Sequence, residues 1–138
     1  MISDIRVFLC GDDHFRFFGE GPCRLLHLIE ETGSLRAAAI SMGMAYTKAL
    51  AIMKRAEKNL GFPLTARRIG GKGGGGSALT PEAKEFLHDY EEYRNACIQS
   101  SRELYTQIFS KYGGGGKAGV PRETGESGIS GNSGNFRE

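Results

Sequence analysis

The sequence predicts one small α+β domain that is mainly α-helical. Its 138 residues are about one domain's worth of chain. Four segments carry apolar residues at helical spacing, and short alternating segments flank glycine-rich turns. No stretch approaches the roughly 18 consecutive apolar residues of a membrane span, and the N-terminus lacks a signal peptide's layout. We therefore expect a cytoplasmic protein with no membrane partner.

The first predicted element is a β-hairpin near the N-terminus. Residues 5–10 alternate in character, a turn falls on Gly11–Asp13, and a second strand follows at residues 15–18. A helix should begin at Gly21-Pro22, because proline in a first helical turn loses only a donor that has no partner anyway. Glycine in the left-handed conformation commonly ends helices, so this helix should end at Gly33.

Two further helices are predicted between Ser34 and Leu60. Ser34 is placed as the N-cap of the first, which Gly43 ends after barely two turns. The second runs from about Ala45 to Leu60 and is closed by Gly61. Alanines on the first helix allow close packing, and the pair resembles a helix-turn-helix.

A second hairpin and a long helix complete the predicted domain. Residues 64–69 and 77–79 indicate two short strands around a glycine loop, which is the usual wing of a winged helix. Thr80 should cap the last helix, with Pro81 first in it and Tyr112 near its end. The helix, placed at about 81–112, would span about 45 Å, too long for one small domain to cover. We expect its apolar stripe to mediate dimerisation.

The composition changes at the end of this helix. Residues 113–138 contain nine glycines and three serines but few large apolar side chains. Such a segment cannot bury enough surface to offset its ordering entropy. The predicted organisation is therefore a folded domain over residues 1–112 and a disordered Gly/Ser-rich tail over 113–138.

Positive charge is concentrated in one part of the chain. Residues 33–72 carry eight lysines and arginines against Glu57 alone, a net charge of +7, whereas the whole chain carries +2. The remainder is therefore net acidic. This asymmetry directs a cationic field to the helix-turn-helix and wing, as a phosphate backbone requires. Charge alone would fit an ordinary solvated lysine face equally well, but its coincidence with the helix-turn-helix favours nucleic acid.

The first turns of the second helix in a helix-turn-helix reach base edges. Thr47 and Lys48 can hydrogen-bond there, and Leu50 or Ala51 can contact a thymine methyl. Packing of Tyr46 and Leu50 against the wing is the alternative, and for Leu50 the two roles are equally probable on sequence grounds.

Basic residues beside that helix should hold the DNA backbone. We expect Lys54 to contact phosphate, and the wing cations to contact the backbone or the neighbouring minor groove. The predicted DNA-binding residues are Ser34, Arg36, Tyr46, Thr47, Lys48, Leu50, Ala51, Lys54, Arg67, Arg68 and Lys72.

Other chemistries have weaker support in the sequence. Gly70–Ser77 superficially suggests a phosphate-binding loop, but Lys72 lies among glycines instead of directly after the last one. Cys23 and His27 are four residues apart on a helix, yet no further ligands follow at metal-site spacing, so we interpret them as a structural pair. The three cysteines include no CxxC pair and indicate reduced thiols. We expect no enzymatic activity, no cofactor and no bound metal.

Several motifs between Gly33 and Thr80 carry a family resemblance. They are Gly33-Ser34-Leu35, Ala37-Ala38-Ala39, Met42-Gly43-Met44, Tyr46, Ala49, Leu60-Gly61, Pro63-Leu64, Arg67-Arg68, the glycine run around Lys72, and Leu79-Thr80. This pattern resembles the DNA-binding domain of the ModE family, a winged helix related to the N-terminal domain of LysR-type regulators. The resemblance covers about residues 5–110. It implies a winged helix-turn-helix that dimerises through the helix after the wing and binds duplex DNA as a transcriptional regulator.

The chain departs from that family in two respects. The family usually has serine, a basic residue and tryptophan where Ala45, Thr47 and Leu50 stand. Full-length molybdate-responsive members also carry a C-terminal oxyanion-binding domain, whereas only 26 residues follow Tyr112 here. The resemblance therefore implies a stand-alone DNA-binding member with no oxyanion effector.

The expected function is that of a homodimeric, sequence-specific transcriptional regulator that binds double-stranded DNA. Two alternatives stay open. The same surface could serve an architectural or weakly specific DNA-binding protein, or the domain could be a protein-interaction winged helix that has lost DNA binding. Competition with random DNA separates the first two functions, and an absence of salt-dependent binding supports the third.

Overall fold

The computed structural model describes residues 1–68 and 76–113. This part of the chain contains four helices and two antiparallel sheets of two strands each. The predicted class, a mainly α-helical α+β winged helix with a long last helix, is confirmed. The wing's glycine loop with Lys72, and all of the predicted tail after Gly113, lie outside the described residues, so those predictions remain predictions.

The elements follow the predicted order along the chain. They are β1 (Leu9–Cys10), β2 (Arg16–Phe18), α1 (Glu20–Thr32), α2 (Leu35–Ser41), α3 (Tyr46–Leu60), β3 (Thr65–Arg67), β4 (Ser77–Leu79) and α4 (Pro81–Phe109).

The first hairpin is shorter than the sequence predicted, whereas in the second β4 covers the predicted residues 77–79. In the first, the register shifts between Leu9 and Cys10, which interrupts the ladder and leaves residues 5–8 outside the strand. In the second, the ladder runs only from the Thr65–Leu79 pair to the Arg67–Ser77 pair. The alternating sequence pattern in the first hairpin therefore covers more residues than the paired strands do.

The two ends of α1 differ in how well they were predicted. The helix begins at Glu20, one residue before the predicted Gly21-Pro22 start. Pro22 still lies in the first turn, where its missing N–H is not needed for an intrahelical bond. At the other end, Gly33 adopts φ 76° and donates its N–H to Ile29 O at 2.7 Å, as a left-handed C-cap does.

Small side chains bring α2 and α3 together. Ala38 and Ala39 on α2 and Ala49 and Ala56 on α3 are buried, which is consistent with the close packing predicted for this pair of helices. Beneath them lies the apolar face of α1. Its fully buried members are Leu25, Leu26 and Ile29, which confirms the predicted inner face.

Aromatic side chains close the core between the first hairpin and α4. Phe18 is fully buried and meets the rings of Phe86 and Tyr90 edge to face, at centroid distances of 4.8 and 5.0 Å. The Tyr90 hydroxyl donates to Val7 O at 2.9 Å, which satisfies a buried polar group and holds the N-terminal segment. Burial raises the pKa of Tyr90 well above its usual value, so this hydroxyl remains a donor.

Only the first part of α4 belongs to this core. Its buried residues are Ala83, Leu87 and Tyr90, whereas its 29 residues extend for about 43 Å. The helix ends at Phe109 instead of the predicted Tyr112, and Tyr112 N donates to Phe109 O in a closing turn. No helix within the described ranges is both long and apolar enough to cross a membrane.

Thr80 joins the wing to α4. Its hydroxyl donates to Pro63 O at 2.8 Å and accepts from Ala83 N at 3.0 Å, and its own N–H donates to Leu64 O at 3.0 Å. The residue is 7% exposed, so water cannot replace these partners. The side chain thus caps α4, as predicted, and also fixes the strand leading into the wing.

We expect Thr80→Ala to lower the free energy of unfolding by about 1–3 kcal/mol, because it removes a helix cap and leaves the carbonyl oxygen of Pro63 without its donor. Thr80→Ser keeps the hydroxyl and should recover most of that loss. Thr106→Ala, on an exposed position of the same helix, should change stability by no more than about 0.5 kcal/mol. Urea unfolding of the three variants at one protein concentration measures the differences. A loss in Thr80→Ala no larger than in Thr106→Ala would contradict this role.

Candidate nucleic-acid interface

The burial of one face of α3 determines which side chains point outward. Ala49, Met53 and Ala56 are buried against α1 and α2. The opposite face is exposed, and its members recur at spacings of four, three and four residues. They are Thr47, Ala51, Lys54 and Lys58. We call this row the α3 stripe.

The remaining residues predicted on α3 lie beside the stripe. Lys48 is exposed, whereas Leu50 and Tyr46 are half-buried. Leu50 therefore presents only part of its side chain to a ligand. Lys54 sits two turns beyond Thr47, which separates the basic end of the stripe from its neutral N-terminal end.

Two predicted DNA-binding residues contact each other. The guanidinium of Arg36 lies 4.4 Å from the centroid of the Tyr46 ring. This cation–π contact connects the first turn of α2 with the first residue of α3. Tyr46 thus contacts Arg36 through its ring, whereas the wing loop against which the alternative placed it lies outside the described residues.

Ser34 contributes to the same region through its cap. Its Oγ accepts a hydrogen bond from Ala37 N at 3.0 Å, which confirms the predicted N-cap of α2. This bond uses a lone pair of the hydroxyl and leaves its proton free to point elsewhere. Ser34 can therefore cap α2 and donate to a ligand at once.

The wing is held against the start of the helix-turn-helix. Ser77 N donates to Gly33 O at 2.8 Å, and Arg68 N donates to Gly76 O at 3.1 Å. The guanidinium of Arg68 lies so close to Gly33 that a methyl group there would overlap it. The positive φ of Gly33 favours glycine at this position, and the Arg68 side chain approaches the residue that precedes Ser34.

The acid within this basic segment faces inward. Glu57 Oε2 accepts a hydrogen bond from Leu64 N at 2.8 Å, so its carboxylate lies between α3 and the wing. Among the described residues, no ion pair joins Arg36, Lys54, Arg67 or Arg68 to an acidic side chain. The positive field of the α3 stripe and wing base is therefore little reduced by local pairing.

The structure brings most of the predicted residues to one surface. Arg36 and Tyr46 meet where α2 and α3 begin, and Arg68 approaches Gly33, the residue before Ser34. Arg67 is exposed on β3, beside it in sequence. Lys72 lies outside the described residues.

A separate polar cluster was missed by the sequence analysis. His27 Nε2 lies 2.7 Å from Glu91 Oε2, and the same oxygen lies 3.5 Å from Cys23 Sγ. The sequence indicated the spacing of Cys23 and His27 on α1, but Glu91 is 64 residues further along, on α4. No local pattern could have found it, because the contact depends on how α4 crosses α1.

Burial and hydrogen bonding set the charges in this cluster. Burial, followed by the negative charge of Glu91, raises the pKa of the Cys23 thiol to about 12. The thiol is therefore protonated near neutral pH and donates to the carboxylate. For Glu91, burial acts to raise the pKa, but the hydrogen bond and charge of His27 outweigh it and the pKa is lowered. The carboxylate is accordingly ionised.

These features define a winged helix-turn-helix protein with a basic face formed by α3 and the wing base. No protein-family model matches the chain. Among curated proteins, the chain is 39% identical over 84 residues to the molybdenum transport protein ModE of Herbaspirillum seropedicae, a match that covers 61% of this chain and 29% of that protein.

Two further curated relatives are similar. The transcriptional regulator ModE of Haemophilus influenzae is 38% identical over 49% of this chain and 27% of its own length. The molybdenum-pterin-binding protein MopB of Rhodobacter capsulatus is 36% identical over 48% of this chain and 24% of its own. The chain thus spans less than a third of the length of the relatives it matches. The resemblance to the ModE family predicted from the sequence is confirmed.

The start of α3 lacks a side-chain cap. Ala45 occupies the N-cap position with extended φ and ψ of −67° and 147°, but alanine has no oxygen to accept from the first amides. We expect Ala45→Ser to raise the free energy of unfolding by about 1 kcal/mol. Ala51→Ser, at an exposed interior position of the same helix, should instead lower it by up to about 0.7 kcal/mol.

Urea unfolding of both variants tests this difference in sign. Equal destabilisation by the two serines would mean that position 45 does not act as an N-cap.

Proposed function

We propose that this protein is a homodimeric transcriptional regulator that binds double-stranded DNA sequence-specifically. The observation that carries the proposal is the α3 stripe, an exposed helix face beside a wing within the most basic segment of the chain. The regulatory role is supported by the ModE of Haemophilus influenzae, which is named a transcriptional regulator.

In the proposed complex, α3 enters the major groove by its N-terminal turns. Thr47 and Lys48 hydrogen-bond to base edges, and the methyl of Ala51 contacts a thymine methyl. Leu50, being half-buried, contributes apolar contact at the edge of this surface. The alanine packing behind α3 keeps its axis fixed relative to α2, which base reading requires.

Phosphate contacts lie on either side of the recognition turns. Ser34, Arg36 and Arg68 form a polar corner where α2 begins, and Tyr46 orients the Arg36 guanidinium. Lys54 contacts the backbone further along α3. Contacts of this kind set the register of the protein on DNA, while the side chains in the groove discriminate sequence.

Dimerisation is proposed through the distal part of α4. Leu104 and Ile108 are 54% and 53% exposed and lie one turn apart on the same face, with Tyr93 and Tyr112 also exposed. A second copy would bury this stripe with two-fold symmetry. Two linked copies of α3 would then read two half-sites about one helical turn, or a multiple of it, apart.

The function is tested by binding of labelled DNA fragments that the protein selects from a random pool. Enrichment of one sequence, and its resistance to competition by random DNA, supports a specific regulator. Equal competition by random DNA would favour the architectural alternative, and an absence of salt-dependent binding would favour the protein-interaction alternative.

The roles of two lysines should be separable on the selected sequence. Lys48→Ala should weaken binding to that sequence by about 1–3 kcal/mol and relax base preference, whereas Lys54→Ala should weaken binding to all sequences and reduce the salt slope by about one. Arg102→Ala, an equal charge change on exposed α4, should change neither. Affinities at several salt concentrations decide this. A changed base preference in Lys54→Ala but not in Lys48→Ala would reverse the two roles.

Negative charges on the exposed face of α4 that carries Leu104 and Ile108 should separate the proposed dimer. Leu104→Glu with Ile108→Glu places two carboxylates in the proposed interface, where their burial is costly, yet both positions are exposed within one chain. We expect a monomer with an unchanged fold and much weaker DNA binding. Thr106→Glu, on the opposite side of the helix, is the matched control. Sedimentation that finds wild type and double variant in the same state would refute this interface.

A further inference from the structure

The junction of α1 and α4 holds three side chains that can each bind a metal ion. Cys23 and His27 lie one turn apart on α1, and Glu91 reaches them from α4. Cys23 Sγ, His27 Nε2 and a carboxylate oxygen of Glu91 all lie within 4.8 Å of one another. The cluster is separate from the α3 stripe and plays no part in the proposed DNA binding.

The spacing of these atoms is close to that around a tetrahedral zinc ion. Bonds of about 2.3 Å to sulfur and about 2.1 Å to nitrogen and oxygen place neighbouring ligand atoms about 3.4–3.6 Å apart. Here the sulfur–oxygen distance is 3.5 Å and the nitrogen–oxygen distance is 2.7 Å. The sulfur–oxygen pair thus already has the spacing of a tetrahedral site, whereas the nitrogen–oxygen pair would have to separate by about 0.7 Å to admit an ion.

Burial and charge also suit a divalent ion. Cys23 is 3% exposed, whereas the side chains of His27 and Glu91 are 44% and 30% exposed. The site is thus closed on the side of the thiol and open to water on the other. A thiolate and a carboxylate together balance a charge of +2. Arg94, whose charge acts on both Cys23 and Glu91, is paired with Glu20 at 3.2 Å.

We propose that Cys23, His27 and Glu91 form a three-ligand site for a borderline-soft divalent metal ion, with Zn²⁺ the best match and water in the fourth position. One sulfur, one nitrogen and one oxygen ligand favour zinc over magnesium or calcium, which select oxygen ligands. On binding, the Cys23 thiol gives its proton to solvent and its sulfur bonds to the metal.

Such an ion would cross-link the two helices that meet at this point. Its bonds to α1 and α4 would replace a hydrogen-bonded contact by a coordinate one, just beyond the last buried residue of α4, Tyr90. An ion that binds only the folded chain also stabilises it by mass action. The melting temperature should therefore rise with zinc concentration.

A second cluster supplies an internal control. His88, Asp89 and Glu92 also lie within 4.8 Å of one another, but all three are fully exposed, belong to one helix and include no thiol. Because these side chains are exposed, no packed neighbours hold them in one arrangement. They should not contribute to tight binding of a thiophilic ion.

The test is titration of the metal-free full chain with Co²⁺ and Zn²⁺. Co²⁺ in a tetrahedral thiolate site gives intense ligand-field bands and a sulfur-to-metal charge-transfer band, and Zn²⁺ affinity follows from displacement of Co²⁺. We expect one equivalent to bind with the thiolate band, and each of Cys23→Ser, His27→Ala and Glu91→Gln to weaken zinc binding by at least about tenfold. Cys97→Ser and His88→Ala should bind as the wild type does.

Circular dichroism establishes that each variant is folded. If Cys23→Ser perturbs the core, the partly exposed positions His27 and Glu91 still test the site. A Co²⁺ spectrum without a thiolate band, or no binding at micromolar metal, would overturn the proposal. So would loss of binding in Cys97→Ser or His88→Ala with retention in His27→Ala.

Discussion

Close packing of α2 on α3 through alanine side chains is the constraint on which the rest of the candidate interface depends. Ala38 and Ala39 on α2 and Ala49 and Ala56 on α3 are all buried where the two helices pack together, and this burial determines which face of α3 points outward. That orientation exposes the α3 stripe and brings Tyr46 under the guanidinium of Arg36. A larger side chain at any of these alanines would push the helices apart. Such overpacking would lower stability and would also shift the candidate interface.

The wing is positioned by backbone contacts more than by its own side chains. Gly33 ends α1, accepts from Ser77 and lies under Arg68, so one residue without a side chain connects α1, α2 and both strands of the wing. Glu57 and Thr80 fix the other end of the wing by accepting from Leu64 and donating to Pro63. The base of the wing is therefore rigidly attached to the helix-turn-helix, and the basic residues at its base share that rigid frame.

Structural features that a few neighbouring residues determine were predicted correctly from the sequence. The caps at Ser34 and Thr80 and the end of α1 at Gly33 were predicted, since a few adjacent residues specify each of them. Strand ends were predicted less well, because pairing depends on a partner strand and its register. The stacking of Arg36 on Tyr46 and the contact of Glu91 with His27 were not predictable, since both depend on how separate helices cross.

The buried residues of the long helix α4 end at Tyr90, although polar contacts with its own chain continue beyond it, from Arg94 to Glu20 and from the Tyr105 hydroxyl to Met1 O. Up to Tyr90 its apolar residues are buried by the same chain, and the Tyr90 hydroxyl is satisfied by Val7 O. Beyond it, Leu104 and Ile108 are exposed, and a helix face of this kind lowers its free energy only by contact with another surface. The cluster at Glu91 follows directly after the last buried residue of α4. A metal ion bound there would cross-link α1 to α4 at that point.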